Sequence, residues 1–158
     1  MNYFVNNRQV IRNLALNTGT TQNPSFTAMC TTSEVQLNTE EEVKDFYVFC
    51  DALQRNIVTG ASVSLDATVK LDIENTAIQS VLGNIQTLIE DGEVAQFNNQ
   101  LIQFELLDGV SGGVLTYVKY QAYVTMNISS GPGGSAEDEG ELELELMFNG
   151  KGTKITSA

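Results

Sequence analysis

The side chains with the clearest capacity for chemistry are carboxylates near the end of the chain. Positions 137–145 carry six of them in nine residues. Alternate side chains of a β-strand share a face, so Glu141, Glu143 and Glu145 are expected to project together about 6–7 Å apart while the intervening leucines enter a core. Such a row could hold a cation, act on a substrate or repel an anion. The plainer alternative is a solvated face that keeps an acidic protein soluble.

The surroundings of this run favour neither a metal site nor a carboxylate enzyme. Glu137, Asp138 and Glu139 lack the glycine and the ligand spacing of an EF-hand loop. A glycosidase needs one carboxyl whose pKa is raised by an apolar pocket, whereas these carboxylates crowd a face predicted to be open. Gly150 and the following lysine are similar to a phosphate-binding loop, but the earlier glycine of that motif is replaced by Glu145. We therefore predict no metal and no cofactor.

The absence of histidine excludes further classes of enzyme. The 158 residues include 20 acidic and 8 basic side chains and no histidine, which gives a net charge of -12 at pH 7. Without imidazole there is no Ser-His or Cys-His pair and no histidine ligand for zinc, which disfavours an enzyme without eliminating one. The few lysines and arginines are scattered along the chain, which disfavours tight binding to nucleic-acid phosphates.

Cysteine usage and hydropathy indicate the compartment. Cys30 and Cys50 lie in predicted strands, and no basic-then-apolar leader precedes them. We expect free thiols that are buried as small hydrophobic groups in a cytosolic chain, with a disulfide or a reactive thiol as the alternative. The longest apolar runs fall far short of the ~20 residues of a membrane span, so no membrane insertion is expected.

Hydrophobic periodicity predicts several strands and one helix. Apolar residues spaced three and four apart predict a helix over about residues 75–91, which Asn75 caps and which covers a sheet. Residues 38–42 are predicted to form an exposed acidic loop, and the Gly- and Ser-rich residues 129–140 a flexible one. Period-two alternation predicts strands at 26–30, 34–37, 43–50, 62–73 and 141–148 and a long hairpin from 100 to 128 that turns at 108–113.

The first 33 residues differ in charge from the remainder. They contain two arginines and no acid, a charge of +2, whereas residues 34–158 hold 6 basic and 20 acidic side chains, a charge of -14. Residues 1–25 are rich in Asn, Gln and Thr and bury too little apolar surface alone to offset their ordering entropy. We predict that they form an N-terminal arm that needs a surface to lie on. A strand in the chain's own core is the alternative.

Five stretches of the sequence carry a family resemblance. They are Phe4–Thr20, Thr27–Val35, Tyr47–Arg55, Thr59–Ile73 and the closing A-E-D-E-G-E-L-E-L-E-L with N-G-K-G-T. Together they touch almost the whole chain, and it resembles the tail tube, or major tail, proteins of long-tailed bacteriophages that infect Gram-positive bacteria. The resemblance implies a mainly β fold, an antiparallel β-sandwich or barrel with one flanking α-helix, forming a single tail-tube domain over residues 1–158.

The resemblance also implies a function. Subunits of this family close into hexameric rings that stack into the tail tube, the conduit for DNA ejection into the host. The implied partners are further copies of the chain, the tape measure protein, tail completion proteins and transiting DNA that is not bound specifically. The implied location is the virion tail, after assembly in the host bacterial cytoplasm. The tubes of contractile tails and injection machines share this fold, so both settings stay open.

Two sets of charged residues are predicted to act in such a tube. The first set faces the lumen, where carboxylates repel DNA; its members are Glu141, Glu143 and Glu145 and, as weaker candidates, Asp66, Asp72 and Glu105. The second set lies between subunits, where the basic side chains of the arm meet an acidic surface; its members are Arg8, Arg12, Glu40, Glu41 and Glu42. A different class of function remains open, namely a small acidic β-sandwich binding module for capsid decoration or carbohydrate binding.

Overall fold

The computed structural model describes residues 3–20, 22–48 and 51–155. These residues form an antiparallel sheet with one α-helix packed on it, so the predicted mainly β fold with one flanking helix is confirmed. The elements are β1 (Ile11–Asn17), β2 (Phe26–Ala28), β3 (Thr32–Val48), β4 (Asp51–Lys70), α1 (Thr76–Asp91), β5 (Gln100–Ser111), β6 (Val114–Ser130), β7 (Glu141–Phe148) and β8 (Thr153–Ile155).

The strands lie in the order β2-β1-β5-β6-β7-β4-β3, and β8 pairs with β6 beyond the end of β7. The connection between β2 and β3 links the two edges of this sheet. The Met29 amide donates to the Leu14 carbonyl of β1 at 2.9 Å, and the Lys70 amide of β4 donates to the Thr31 carbonyl at 3.0 Å. The sheet is therefore curled, because the strands next to its two edges, β1 and β4, bond to the same short segment.

The core lies between the concave apolar face of the sheet and α1. Strand alternation sends one side chain of each pair inward, and Leu142, Leu144 and Leu146 of β7 are each at most 2% exposed. The helix contributes the apolar face that its three-and-four spacing predicted, with Ala77 and Ile78 at most 1% exposed. Burial of such side chains supplies most of the stability of the fold.

The predicted boundaries of the helix are confirmed. The Asn75 side-chain oxygen accepts from the backbone amides of Ala77 and Ile78 at 2.9 and 3.3 Å, and its amide nitrogen donates to the Ala28 carbonyl of β2 at 2.9 Å. This residue therefore caps α1 and ties it to the sheet. The helix ends at Gly92, whose φ of 67° is the left-handed conformation that glycine adopts without strain.

Two predictions about β3 and its surroundings are wrong. Residues 38–42, predicted as an acidic loop, continue β3 and pair with residues 60–64 of β4. Charged side chains fit a strand here because both faces of this region meet solvent. Cys30, predicted as a buried thiol, is exposed and free, because Met29 takes the buried position next to it. Cys50 lies outside the described residues.

The N-terminal region divides into two parts. Residues 11–17 form β1 between β2 and β5 and bury Leu14 and Leu16, which is the alternative that the sequence left open. Residues 3–8 are exposed and lead into β1 through a short 3₁₀ turn. We call residues 3–8 the arm. Within the described ranges, no helix is long and apolar enough to cross a membrane.

Candidate assembly and lumen surfaces

The predicted row of carboxylates exists on the polar face of β7. The register sets Glu141 opposite Lys70, Glu143 opposite Thr68 and Glu145 opposite Asp66. Cross-strand partners of an antiparallel pair lie side by side on one face, so Glu145 and Asp66 bring two like charges together. The Asp66 carboxylate accepts a hydrogen bond from Asn38 Nδ2 at 2.6 Å, which helps to hold it there.

One member of the row is neutralised by a lysine that the sequence did not assign to it. Lys70 Nζ forms an ion pair with Glu141 and a second with Glu139 Oε2 at 3.5 Å. The hydrogen bond that Lys70 donates to Glu141 raises the pKa of Lys70 above its ordinary value, and the charges of both glutamates add to this effect. The net negative charge of the face is therefore concentrated on Glu143, Glu145 and Asp66.

Two of the three weaker lumen candidates lie apart from this row. Glu105 lies on β5, where its Oε2 accepts from Arg12 Nε at 2.8 Å and from Asn13 Nδ2 at 2.6 Å. Its side chain is only 16% exposed. Asp72 follows the end of β4 and accepts from the Glu74 backbone amide at 3.1 Å, so it shapes the turn before α1.

The two arginines of the predicted interface have different environments. Arg12 is occupied within the subunit, since it pairs with Glu105 and its guanidinium lies 3.5 Å from the centre of the Tyr117 ring. The Tyr117 hydroxyl donates to the Gln9 carbonyl at 2.7 Å and so fixes the start of β1. Arg8 is exposed and makes no ion pair with another described residue.

The three glutamates predicted to receive the arginines do not form one surface. Glu40, Glu41 and Glu42 are consecutive in β3, where they pair with Ser62, Ala61 and Gly60. Side chains alternate along a strand, so Glu41 points away from the face that the other two share.

The curled sheet leaves a groove that brings several predicted residues together. It has a volume of about 1420 Å³ and runs between the N-terminal segment and strands β3, β4 and β7. Its lining includes the two predicted arginines, Arg8 and Arg12, and the carboxylates Asp66, Glu143 and Glu145. The groove therefore brings members of both predicted sets together.

The far part of the β3–β4 hairpin is a surface that the sequence did not predict. Strand β7 pairs with β4 only over residues 64–70, so residues 40–48 and 51–62 form a two-stranded ribbon that no other described strand flanks. We call this ribbon the distal hairpin. Large apolar side chains along it are exposed: Val43 by 59%, Tyr47 by 70%, Leu53 by 73%, Ile57 by 48% and Val58 by 61%.

Comparison with known proteins identifies the fold. No protein-family model matches the sequence, and no curated protein matches it either. Solved structures do match over nearly the whole chain. A gene transfer agent tail with C6 symmetry is 14% identical with a TM-score of 0.53, over 90% of this chain and 96% of the other. The SPP1 tail tube is 13% identical with a TM-score of 0.57, over 92% and 76% of the two chains.

A third matching structure comes from a different kind of assembly. The six-fold symmetrised baseplate of the anti-feeding prophage contains a chain that is 13% identical with a TM-score of 0.53, over 98% of this chain and 97% of the other. At such low identity the likeness concerns the fold. The chain has the tail-tube fold, and the family resemblance in the sequence is confirmed to that extent.

Proposed function

We propose that this chain is a structural, non-enzymatic subunit of a virion tail tube, in which copies of it close into six-membered rings that stack into a conduit for DNA. The distal hairpin is the observation that carries the proposal. The shared fold supports it, and so does the six-fold symmetry of two of the assemblies that contain similar chains. Tape measure and tail completion proteins would then meet the ends of the tube.

The distal hairpin has the properties of an assembly surface. A two-stranded hairpin that packs on nothing is at best marginally stable in water. Its outer edge, β3, is 17 residues long, and no other described strand pairs with it along the side away from β4, which leaves an edge open to pairing with another chain. Exposed apolar side chains on such an edge favour burial against another chain. A neighbouring copy would stabilise the ribbon and cover both features.

The acidic face suits the wall of a DNA conduit. Glu143, Glu145 and Asp66 lie together on a rigid sheet, and their charge repels phosphate. Six copies would carry a formal charge of six times -12, or -72. DNA could then pass through a hydrated layer without being held by lysine or arginine contacts.

Electron microscopy of the purified chain tests the assembly. The expected result is rings or tubes with six-fold symmetry that grow more abundant with protein concentration. Particles that stay monomeric at high concentration would contradict the proposal and favour a small acidic binding module instead.

The role of the acidic face is tested separately in virions. We expect Glu143→Lys with Glu145→Lys to leave tubes intact but to slow DNA release and lower infectivity. In the matched control, the charges of Glu137 and Asp138, which lie outside the strands, are reversed by replacing both residues with lysine. Unchanged DNA release in the first variant, with normal tubes, would exclude this face from the lumen.

A further inference from the structure

An apolar pocket opens at one end of the sheet. It lies between the second half of α1, the segment that follows it and the end of β6, and has a volume of about 450 Å³. Binding clefts in proteins commonly measure about 300–1,000 Å³. Leu88 and Val94 at its rim are 39% and 61% exposed. Its apolar lining includes Ile85, Leu88, Val94, Phe97, Met126 and Ile128.

Negative charge lies in the chain segment between two lining residues of this pocket, Leu88 and Val94. The last turn of α1 contains Glu90 and Asp91 and no basic residue, and Glu93 follows the helix. The partial negative charge at a helix C-terminus adds to these carboxylates. An apolar segment that carries a cation would therefore complement the site in both respects.

The arm has this composition. Tyr3, Phe4 and Val5 are exposed by 52%, 86% and 36%, although they are apolar. Arg8 follows them and forms no ion pair with a described residue. Exposed aromatic side chains beside an unpaired arginine are typical of the residues that dominate protein interfaces.

The arm and the pocket lie at opposite ends of the sheet. The Leu107 amide donates to the Val10 carbonyl, and Leu107 pairs with Tyr117 of β6. Met126, in the pocket, is nine positions further along β6, which is about 30 Å at ~3.3 Å per residue. The segment from Phe4 to Val10 spans at most ~25 Å even when fully extended. Phe4 therefore does not reach the pocket of its own subunit.

We propose that the arm of one subunit docks in this pocket of another subunit, with Phe4 among its apolar side chains and Arg8 beside Glu90, Asp91 and Glu93. Because the two surfaces differ, the contact is heterologous and repeats from copy to copy. The inference rests on the proposed self-assembly and names the surfaces that join the copies. It also replaces the acidic residues 40–42 as the partner of the arm.

Disulfide trapping between two single-cysteine proteins tests the contact. Both carry Cys30→Ser and Cys50→Ser; one adds Val5→Cys, which keeps the Phe4 ring, and the other adds Val94→Cys. Mixed, assembled and oxidised with oxidised glutathione, they should give a covalent heterodimer, which can form only between chains. The matched control replaces Val94→Cys by Val110→Cys, which is 47% exposed near the β5–β6 turn, at the end from which the arm leaves.

The outcomes separate this inference from the proposed function. Efficient trapping at position 94 and little at position 110 would support the docking. Normal tubes with no trapping at 94, or equal trapping at both positions, would overturn it and leave the tube function standing. Failure of the unmodified protein to assemble under any condition would overturn both.

Charge reversal gives an independent readout. Arg8→Glu should raise the concentration needed for assembly, and adding Glu93→Arg should restore it, whereas Glu41→Arg should not. Phe4→Ser should raise that concentration tenfold or more, because burial of the ring would be lost. The melting temperature of the monomer should stay unchanged, since Phe4 is 86% exposed there. Rescue by Glu41→Arg instead of Glu93→Arg would overturn the docking site.

Discussion

The paired valines of the distal hairpin allow assembly to be separated from folding. Val43 and Val58 are direct cross-strand partners and are exposed by 59% and 61% in the subunit. Replacing both by threonine keeps the branched side-chain shape and the strand propensity of valine. The substitution changes mainly the polarity of a surface that a neighbouring copy would cover.

The size of the effect follows from their exposure. Full burial of a valine side chain stabilises by about 1.5–3 kcal/mol. Because each of the two valines is still about six-tenths exposed in the subunit, roughly six-tenths of that free energy can be gained at each position on assembly. Covering both in an assembly is therefore worth about 2–4 kcal/mol per subunit. At about 1.4 kcal/mol per tenfold change, losing this term should raise the critical concentration for tube formation roughly 30- to 700-fold. The free energy of unfolding of the monomer should change by less than about 0.5 kcal/mol at such exposed positions.

Sedimentation across a concentration series measures the critical concentration, and thermal unfolding measures the subunit. The matched control is Val110→Thr with Val114→Thr, at positions exposed by 47% and 67% beside the turn of the β5–β6 hairpin. The reasoning is refuted if the distal and control variants assemble alike, or if the distal variant loses its fold along with its tubes.

Three further predictions concern the stability of the subunit. Asn75→Ala should lower the free energy of unfolding by about 1–3 kcal/mol in urea, because it removes both the helix cap and the hydrogen bond to β2. Asn75→Asp keeps the capping oxygen and should therefore lower it by less. Equal losses in the two variants would show that the cap contributes nothing. Glu141 raises the pKa of Lys70 in the folded subunit. The ion pair therefore stabilises the folded subunit fully at a pH below the unfolded-state lysine pKa of about 10.4. This stabilisation is lost as the pH rises through the higher folded-state pKa of Lys70. The destabilisation by Lys70→Met should therefore shrink in alkaline unfolding titrations, and a constant difference above that pH would contradict it. Gly140→Ala should cost about 1–3 kcal/mol because its Cβ would lie 2.7 Å from Leu71 Cδ1, and Leu71→Ala should relieve part of that cost in a double-mutant cycle.

The elements that could be predicted from the sequence are those in which one face is buried and the other is exposed, since this leaves a regular apolar pattern within a short segment. Strand β7 alternates leucine with glutamate, and α1 repeats its apolar residues every three or four positions, so burial dictated both patterns. Residues 43–50 were predicted as a strand, but the pairing that makes the distal hairpin escaped prediction because both of its faces meet solvent and no buried side constrains the pattern. Residues 38–42 were therefore assigned to a loop, although the ladder with β4 continues through them.

The charged surfaces were predictable only in part for a similar reason. Alternation alone places Glu141, Glu143 and Glu145 on one face. Their neighbours depend on the register of strands that are distant in sequence: Lys70 is 71 residues from Glu141, and Arg12 is 93 residues from Glu105. A local pattern carries no information about such pairs, so the neutralisation of two predicted lumen carboxylates became visible only in the folded chain.

The position of β1 beside β5 sets a sequence of events during synthesis. At ~5–20 residues per second, the ribosome needs roughly 4–17 s to extend the chain from the end of β1 at Asn17 to the start of β5 at Gln100. The β3–β4 hairpin joins neighbouring segments and can close within microseconds of emerging. The distal hairpin can therefore close while β1 still lacks its β5 neighbour and the arm has no fixed starting point. In the proposed assembly, a nascent chain would present the distal hairpin before the arm, and polymerisation that needs both surfaces would wait for the finished polypeptide.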